Sequence, residues 1–382
     1  METIGIIAEY NPFHNGHLYH INRIKEKYKD SILILVLAGN FTQRGEVSII
    51  DKWKKAEISL KSGIDLIVEL PFPFATQSAD YFSYGAITIL ELLHVKKIVF
   101  GSESDSLKDL TEIAKAQVEN EEFDKLVKVY SKFGNNYPTA LCLALKDLTG
   151  KTIKAPNDLL GISYIKTIIK NNYHIIPETI KRTNDYHETE LKNMISSATA
   201  IRKALRKNID IKNQVPEYVL PYLQELHFIE DYFDLLKYKI ITEEDLSIYN
   251  TVDEGIDKLL KKEICSCKTY EEFVNKIKSK RYTYNKISRM LIHILCNFTK
   301  EKKERLTEIS YIRILGFSDK GRKYLNTIKK DVKVPIISKI NRNKDPMLEF
   351  EIETTKIYSL DFNHSKELIE EEYKNHLNTE LL

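Results

Sequence analysis

Residues 3–17 read TIGIIAEYNPFHNGH, an apolar run followed directly by a polar loop that contains two histidines. The run at 3–8 shows no alternation of apolar and polar residues, which is typical of a strand buried on both faces of a parallel sheet. From Gly16 to Tyr28 the apolar residues recur at near-helical spacing. The stretch therefore predicts a strand, a loop at its carboxyl end and a helix, which is the first unit of an α/β fold.

The same pattern continues to about residue 200. Apolar runs predict further strands, at 32–38, 65–70 and 97–100. Segments with helical spacing lie between and after them, at 52–62 and 79–93. Strands that alternate with helices in this way form a Rossmann-like parallel sheet, which binds its ligands at the carboxyl ends of its strands. We therefore expect an α/β domain over residues 1–207, with its ligand site at that edge of the sheet.

The strand signal fades after residue 205. Segments rich in lysine, glutamate, leucine and isoleucine predict helices, at 216–237, 243–266, 270–278, 283–298 and 366–374. Two short apolar pieces, at 334–340 and 357–360, are expected to be strands. The sequence thus predicts a mainly α-helical second domain over residues 208–382.

The composition excludes several classes of protein. The 382 residues include 38 aromatic residues (1 Trp, 22 Tyr and 15 Phe), which require burial and exclude a disordered chain. The longest apolar run, 32–38, is too short to span a membrane, so no membrane partner is expected. The cysteines follow neither a disulfide framework nor a zinc spacing, and they are Cys142, Cys265, Cys267 and Cys296. We therefore predict no protein metal site and a reducing, cytoplasmic compartment.

The charge is unevenly distributed. Residues 271–330 contain 16 Lys/Arg and 6 Asp/Glu, a net charge of +10, whereas the whole chain carries only +3. A basic block on a near-neutral protein favours a polyanionic partner such as RNA, and interleaved tyrosines can stack on unpaired bases. The candidate RNA-binding residues are Arg281, Lys286, Arg289, Lys320, Arg322 and Lys323. The alternative is a set of solvated, lysine-rich helix faces.

The first loop carries the candidate chemistry. His14 and His17 are three residues apart, so both rings can face one ligand. The start of the following helix is expected to offer unpaired amides and a positive dipole to an anion. Two imidazoles at this place suit a triphosphate that is attacked at its α-phosphate, because they donate hydrogen bonds to the developing charge. The alternative is a pair of loop histidines that only bond to the backbone.

Two short motifs resemble those of a superfamily. Residues 14–17, HNGH, resemble the H-x-G-H signature of the nucleotidyltransferases that include class I aminoacyl-tRNA synthetases. Residues 197–202, SATAIR, resemble their S-S-T-x-I-R signature, with alanine at the second serine. A helix start followed by an arginine suits a clamp for the β- and γ-phosphates, although a capped surface helix gives the same pattern.

The chain resembles the bacterial tRNA(Met) cytidine acetate ligases more closely. The segments that carry this resemblance lie in the family's order, and they are IIAEYNPFHNGH (6–17), GNFTQRGE (39–46), DLIVELP (65–71), FGSE (100–103), APNDLLG (155–161), IKR (180–182) and SATAIR (197–202). The basic segment 280–289 adds to them.

The resemblance implies that residues 1–207 form an ATP-binding, nucleotidyltransferase-like catalytic domain and that residues 208–382 form a tRNA-binding domain. The expected enzyme is a ligase that forms acetyl-adenylate from ATP and acetate and releases pyrophosphate. It then acetylates the wobble cytidine of elongator tRNA(Met) to N4-acetylcytidine and releases AMP. In this scheme His14 and His17 are catalytic, and Mg²⁺ is held mainly by the nucleotide. The expected ATP contacts are Ile7, Ala8, Glu9, Tyr10, Asn11, Pro12, Phe13, His14, Asn15, Gly16, His17, Leu18, Tyr19, His20, Gly101, Asn157, Arg182, Thr199 and Arg202.

Several alternatives remain open from the sequence. A small-molecule adenylyltransferase would not need the basic half, and a non-catalytic RNA-binding protein would not need an intact H-x-G-H. Gln43 and Arg44 are equally consistent with an acetate or tRNA contact and with a plain polar turn. Asp65 and Glu69 favour a salt-bridged sheet end over a catalytic carboxylate pair. The sequence does not indicate the oligomeric state, the acetate pocket or the base that accepts the cytidine proton.

Overall fold

The computed structural model describes residues 2–135, 137–152, 155–182, 196–279, 282–340, 345–361 and 365–374. Within these ranges seven strands form a sheet, and they are β1 (Thr3–Ala8), β2 (Ile32–Ala38), β3 (Leu66–Leu70), β4 (Lys97–Ser102), β5 (Ile176–Lys181), β6 (Ile312–Phe317) and β7 (Ile336–Ile337). Their order across the sheet is β5-β4-β1-β2-β3-β6-β7. The five strands from β5 to β3 are parallel, β6 is antiparallel to β3, and β7 is parallel to β6.

The helices of the described ranges precede, follow or connect these strands. They are α1 (Asn15–Lys27), α2 (Lys52–Lys61), α3 (Phe72–Ala75), α4 (Ala79–Leu92), α5 (Leu107–Glu119), α6 (Glu122–Lys132), α7 (Tyr137–Thr149), α8 (Pro156–Lys170), α9 (Ala198–Arg206), α10 (Phe233–Thr242), α11 (Ile256–Ile264), α12 (Tyr270–Ile277), α13 (Tyr284–Leu295), α14 (Lys300–Arg305), α15 (Asp319–Ile328), α16 (Pro346–Tyr358) and α17 (Ser365–Glu371). None of them is long and apolar enough to cross a membrane.

The uninterrupted apolar sequence of β2, ILILVLA, follows from its position inside the sheet. All seven of its residues are buried. Ile32, Ile34 and Val36 belong to one apolar cluster, whereas Leu33 and Leu35 belong to the other. Since successive side chains of a strand point to opposite faces, helices must cover both sides of β2. The predicted parallel sheet is thus confirmed, with β6 as an antiparallel addition.

The strand order reverses beside β1. β2 and β3 extend the sheet on one side of β1, whereas β4 and β5 extend it on the other. Ligands of open α/β sheets bind at such a switch point, outside the carboxyl ends of the strands. The loop 9–14 leaves the sheet at this point, directly beside the end of β4.

The second half of the chain differs from the prediction in several segments. The expected helix at 216–237 is interrupted, because Pro221 lacks an amide hydrogen, and the chain forms short 3₁₀ helices at Glu217–Leu223 and Ile229–Tyr232 before α10. The segment 243–266 is helical only at Leu246–Ile248 and in α11. The expected strand at 357–360 is wrong, since α16 continues to Tyr358. The boundary after residue 207 stays a prediction, but β6 and β7 from beyond it extend the sheet.

Candidate active site

The loop after β1 brings His14 and His17 into direct contact. His14 is the N-cap of α1, and its Nδ1 accepts a hydrogen bond from the Gly16 amide at 3.1 Å. The Nδ1 of His17 accepts one from the His14 amide at 3.3 Å. The two rings stack with 3.7 Å between their centroids. The backbone therefore fixes both imidazoles as a pair at the start of the helix.

Both imidazoles are neutral near neutral pH. Burial, together with the positive charges of Arg182 and Arg202, lowers the pKa of His14 to about 3. Burial also lowers the pKa of His17, and His14 and Arg182 add to this shift. In a neutral imidazole whose Nδ1 accepts a hydrogen bond, the proton is on Nε2. Each ring thus presents one Nε2–H donor.

The amides of the first helical turn are already bonded. The Asn15 amide donates to the Gln214 carbonyl at 3.0 Å, and the Gly16 amide donates to His14. The expectation of unpaired amides at this helix start is therefore wrong for these two groups. The imidazole Nε2–H groups, rather than these amides, are the donors that remain for an anion.

Aromatic packing and a buried arginine hold the loop. Tyr10 and Phe13 are buried, and the Tyr10 ring lies 4.6 Å from the ring of His17, centroid to centroid. Arg202 donates to the Asn11 carbonyl at 2.8 Å and pairs with Glu46 at 2.5 Å. Arg202 thus lies beneath the loop, where it braces the backbone two residues before Phe13.

Lys55 is a site residue that the sequence did not reveal. It lies on α2, is 1% exposed, and donates to the carbonyls of Glu9 at 3.0 Å, Ala38 at 2.8 Å and Gly39 at 2.6 Å. These carbonyls lie at the carboxyl ends of β1 and β2. One ammonium group therefore joins the ends of two neighbouring strands. The one sequence feature that could have indicated its burial is its helical spacing, which places it on the same face of α2 as Ala56 and Ser59.

Gly101 and Arg182 meet at the end of β4. Gly101 pairs with Ile180 of β5, and a Cβ added to Gly101 would lie 3.1 Å from the Cγ of Arg182. The Arg182 Nε is buried and has no hydrogen-bond partner in the described part of the chain. Burial lowers the pKa of Arg182. An unpaired guanidinium nitrogen next to the two histidines is suited to an anionic ligand.

His20 shows a similar unpaired group one turn further along α1. Its Nε2 is buried and has no hydrogen-bond partner among the described residues. Burial lowers the pKa of His20 to about 4, and the charge of Arg182 contributes. His20 and Arg182 therefore enclose the same charged region as the stacked pair.

Asn157 belongs to a network at the start of α8. Its side-chain amide donates to Glu103 at 2.5 Å, and Glu103 also accepts the Asp158 amide at 3.1 Å. Asp158 is buried and accepts hydrogen bonds from Ser102 and from the amides of Glu103 and Ser104. The network fixes Asn157 beside the end of β4, where Ser102 and Glu103 directly follow Gly101.

The SATAIR motif begins α9. Ser197 is the N-cap and accepts from the Ala200 amide at 3.1 Å, and Thr199 lies half-buried in the first turn. Because Arg202 bonds to Asn11 and Glu46, its guanidinium already has protein partners. A contact of Thr199 or Arg202 with ATP stays a prediction.

The basic candidates divide between two ends of the sheet. Arg289 on α13 donates to the Gln43 carbonyl at 3.2 Å, and the Lys286 Nζ lies 4.0 Å from the centre of the Tyr282 ring. Arg281 lies outside the described residues. On α15 the Lys320 Nζ donates to the Ser31 carbonyl, before β2, and Arg322 pairs with Asp319, whereas Lys323 is exposed. The α13 group is therefore at the carboxyl edge of the sheet, and the α15 group is at the opposite edge.

The remaining polar candidates are largely bonded within the protein. The Gln43 amide donates to Glu9 at 2.6 Å, and its side chain donates to the Gln77 carbonyl. Glu69 pairs with Lys52 at 2.6 Å, and Asp65 accepts from the Leu33 amide. These contacts agree with the favoured structural interpretation of the two carboxylates.

No cluster of three or more His, Cys, Asp or Glu residues that could hold a metal ion occurs in the described ranges. Arg182 is the positively charged side chain that lowers the pKa of both histidines. A cation at this site would therefore need ligands from a bound nucleotide and from water.

The sequence of the chain is similar to one protein family and to individual enzymes of known name. A model of the HIGH Nucleotidyl Transferase family matches residues 1–372. The tRNA(Met) cytidine acetate ligase of Geobacillus sp. (strain WCH70) is 38% identical over 381 residues, which cover 95% of each chain. That of Thermosipho melanesiensis is 41% identical over 359 residues, 88% of this chain and 84% of the relative.

Solved structures show the same similarity. The crystal structure of Thermotoga maritima TmcAL without ligand (form I) superposes with a TM-score of 0.92 at 30% identity and covers 99% of both chains. The structure of TmcAL bound with alpha-thio ATP (form II) gives a TM-score of 0.88 at 30% identity, with 98% of this chain and 97% of that chain covered.

Proposed function

The chain belongs to the tRNA(Met) cytidine acetate ligase family, and from this we propose how its own residues perform the reaction. It is a ligase that uses ATP and acetate. The first step joins acetate to the α-phosphate of ATP and releases pyrophosphate. The second step passes the acetyl group to the N4 amine of the wobble cytidine of elongator tRNA(Met), which yields N4-acetylcytidine and AMP. The comparisons favour neither a small-molecule adenylyltransferase nor a non-catalytic RNA-binding protein.

The stacked, neutral pair His14 and His17 is the observation that carries the proposed first step. As acetate attacks, negative charge grows on the oxygens of the α-phosphate. Two fixed Nε2–H donors in a site removed from water stabilise that charge more in the transition state than in the ground state. Since the rings are already ordered by backbone hydrogen bonds, little reorganisation is needed during the reaction.

Arg182 is proposed to hold the phosphates of the nucleotide. Its buried Nε has no hydrogen-bond partner among described residues, and it lies beside the side-chain-free position Gly101. A phosphate oxygen would satisfy this donor and neutralise the charge. Asn157, which Glu103 orients, is proposed to contact the base or ribose, and Mg²⁺ would bind through the triphosphate and water.

The tRNA is proposed to approach along α13. This helix contacts the loop 40–47 at the carboxyl edge of the sheet, where Arg289 bonds to Gln43. Lys286 and the 46%-exposed Tyr284 lie on the same helix. A cytidine that leaves its loop stack could reach the acetyl-adenylate from this side. The enzyme is accordingly expected in the cytoplasm, with tRNA.

The replacement His17→Ala tests the first step. We expect the acetate-dependent exchange of pyrophosphate into ATP to fall by about 100-fold or more, because one donor to the α-phosphate is lost. The affinity for tRNA(Met), measured by filter binding, should change by less than about twofold. His174→Ala is the matched control, since His174 is 93% exposed and pairs with Glu91. Retained exchange in the His17 variant would contradict the proposed role.

A further inference from the structure

The second step needs a group that accepts a proton, and this inference therefore rests on the proposed function. When N4 of cytidine attacks the acetyl carbon, the nitrogen becomes positively charged and must lose a proton. A carboxylate at the carboxyl edge of the sheet is the simplest acceptor. The two histidines are poor candidates, because their lowered pKa values make them weak bases.

Most carboxylates at this edge already have strong partners. Glu46 pairs with Arg202 at 2.5 Å, and Glu69 pairs with Lys52 at 2.6 Å. Asp51 caps α2 by accepting the amides of Trp53 and Lys54. Glu103 and Asp158 serve the network that holds Asn157. Each of these carboxylates is thus already engaged in contacts that hold the fold together.

Glu9 differs from the others. It directly follows β1 and precedes the histidine loop, and its side chain is half-buried. Its Oε1 accepts one hydrogen bond, from the Gln43 amide at 2.6 Å. Within the described residues its Oε2 has neither an ion-pair nor a hydrogen-bond partner. Its own carbonyl is held by Lys55 at 3.0 Å, so the backbone beneath the carboxylate is fixed.

We propose that Glu9 is the general base of acetyl transfer, with Oε2 as the accepting atom. The lone pair of N4 forms a bond to the acetyl carbon of acetyl-adenylate, and the N4 proton passes to the carboxylate. The carbon–oxygen bond to the α-phosphate then breaks, and its electron pair leaves on AMP. Glu9 returns the proton to water after the product departs.

The surroundings of Glu9 support this role. Removal from bulk water raises the pKa of Glu9, and Glu46 adds to the increase, whereas Arg44 and Lys55 oppose it. Tyr164 also lies near enough to sense its charge. A raised pKa makes the ionised carboxylate a stronger base.

The test compares the two half-reactions in Glu9→Gln. Glutamine keeps an oxygen that can accept from the Gln43 amide, so the loop should remain folded, which thermal unfolding checks. We expect single-turnover transfer from enzyme-bound acetyl-adenylate to tRNA(Met) to slow by about 100-fold or more. Acetate-dependent pyrophosphate exchange should fall by less than tenfold. Glu57→Gln on α2, half-exposed and paired with Lys61, is the control and should leave both rates unchanged.

The pH profile separates a base from a positioning residue. In the unchanged protein the transfer rate should rise with pH through the raised pKa of Glu9 and then level, and the rise should vanish in the glutamine variant. Equal losses in both half-reactions, or no loss in transfer, would overturn the assignment to Glu9. A lack of acetate-dependent exchange in the unchanged protein would instead overturn the proposed function itself.

Discussion

Lys55 joins two strand ends through three carbonyl oxygens. An ammonium group has three donors, so all of them are used on the backbone that leads into the histidine loop and the loop 40–47. Burial lowers the pKa of Lys55 to about 7, which shows that holding the charged form there costs free energy. The position of the loops, more than net stability, is what this residue provides.

The replacement Lys55→Met should therefore reduce activity more than stability. The three carbonyls lose their donor, but the desolvation cost of the charge is also removed, so we expect unfolding free energy to change by about 1–3 kcal/mol. Pyrophosphate exchange should fall by at least about tenfold, because displacement of the loop misplaces the histidines. Lys54→Met, at a partly exposed position of the same helix, should change both by little. A fully active Lys55 variant would refute this expectation.

Single residues differed in how far the sequence could place them. His14 and His17 stand in a recognisable motif after an apolar run, so their location at a strand end was predictable. The spacing of α2 places Lys55 beside the buried Ala56 and Ser59, but a lysine normally lies at the surface, and its backbone partners leave no trace in the sequence. Arg202 was recognised, yet its bonds to Asn11 and Glu46 depend on tertiary contacts between segments more than 150 residues apart.

At the scale of elements, α13 packs directly on the loop 40–47. Gly45 has a φ of 74°, and a Cβ at this position would lie 2.2 Å from the backbone nitrogen of Arg289. Glycine is thus required both by the backbone conformation and by the close approach of the helix. This contact brings the basic face of α13 next to the carboxyl edge of the sheet.

The position of α13 leads to a prediction for tRNA binding. Lys286→Ala should weaken tRNA(Met) binding and reduce the slope of log K against log salt by about one, because one phosphate contact is lost. Binding titrations between low and moderate salt measure this slope. Lys258→Ala, an exposed lysine on α11, serves as the control and should leave the slope unchanged. An unaltered slope in the Lys286 variant would move the RNA surface away from α13.

Elements near the amino terminus were predicted within one or two residues, because their apolar runs are long and unbroken. β1 and β2 match the expected bounds, and α2 and α4 end one residue earlier than expected. β6 was missed, since Arg313 interrupts its apolar run. Arg313 can be buried because Glu69 and Glu372 balance its charge, and this pairing is visible only in the folded structure.

At the scale of the whole molecule, a buried charge cluster joins distant parts of the chain. Lys52 lies 2.6 Å from Glu69, 2.8 Å from Glu372 and 3.8 Å from Glu351, and Arg313 lies 2.9 Å from Glu372. Burial and the neighbouring Glu69 raise the pKa of Glu351 to about 8, so it is protonated at neutral pH. The positive charges of Lys52 and Arg313 are then balanced by the negative charges of Glu69 and Glu372.

This balance predicts unequal effects for two similar replacements. Glu372→Gln should reduce the unfolding free energy at pH 7 by about 3–5 kcal/mol, because it leaves a buried cation without its partner. Glu351→Gln should raise it, because the native carboxyl must take up a proton on folding at pH 7 and a glutamine need not. Urea unfolding at pH 7 measures both. Equal losses would mean that Glu351 is ionised in the folded protein.

The pH dependence gives an independent check on Glu351. Its pKa is higher in the folded than in the unfolded chain, so the folded state binds more protons between about pH 4.5 and 8. The contribution of this group to stability is therefore present at low pH and is lost as the pH rises through this window. Glu351→Gln should remove that part of the decline.

The same cluster constrains how the protein can form during synthesis. A ribosome that has released only residues 1–207 has exposed Lys52 and Glu69, but not Arg313, Glu351 or Glu372. The edge that carries the histidines thus acquires its full set of counter-charges only when the final helices emerge. The packing of α16 and of Glu372 against the sheet should then be completed late in synthesis, after the parallel strands have been translated.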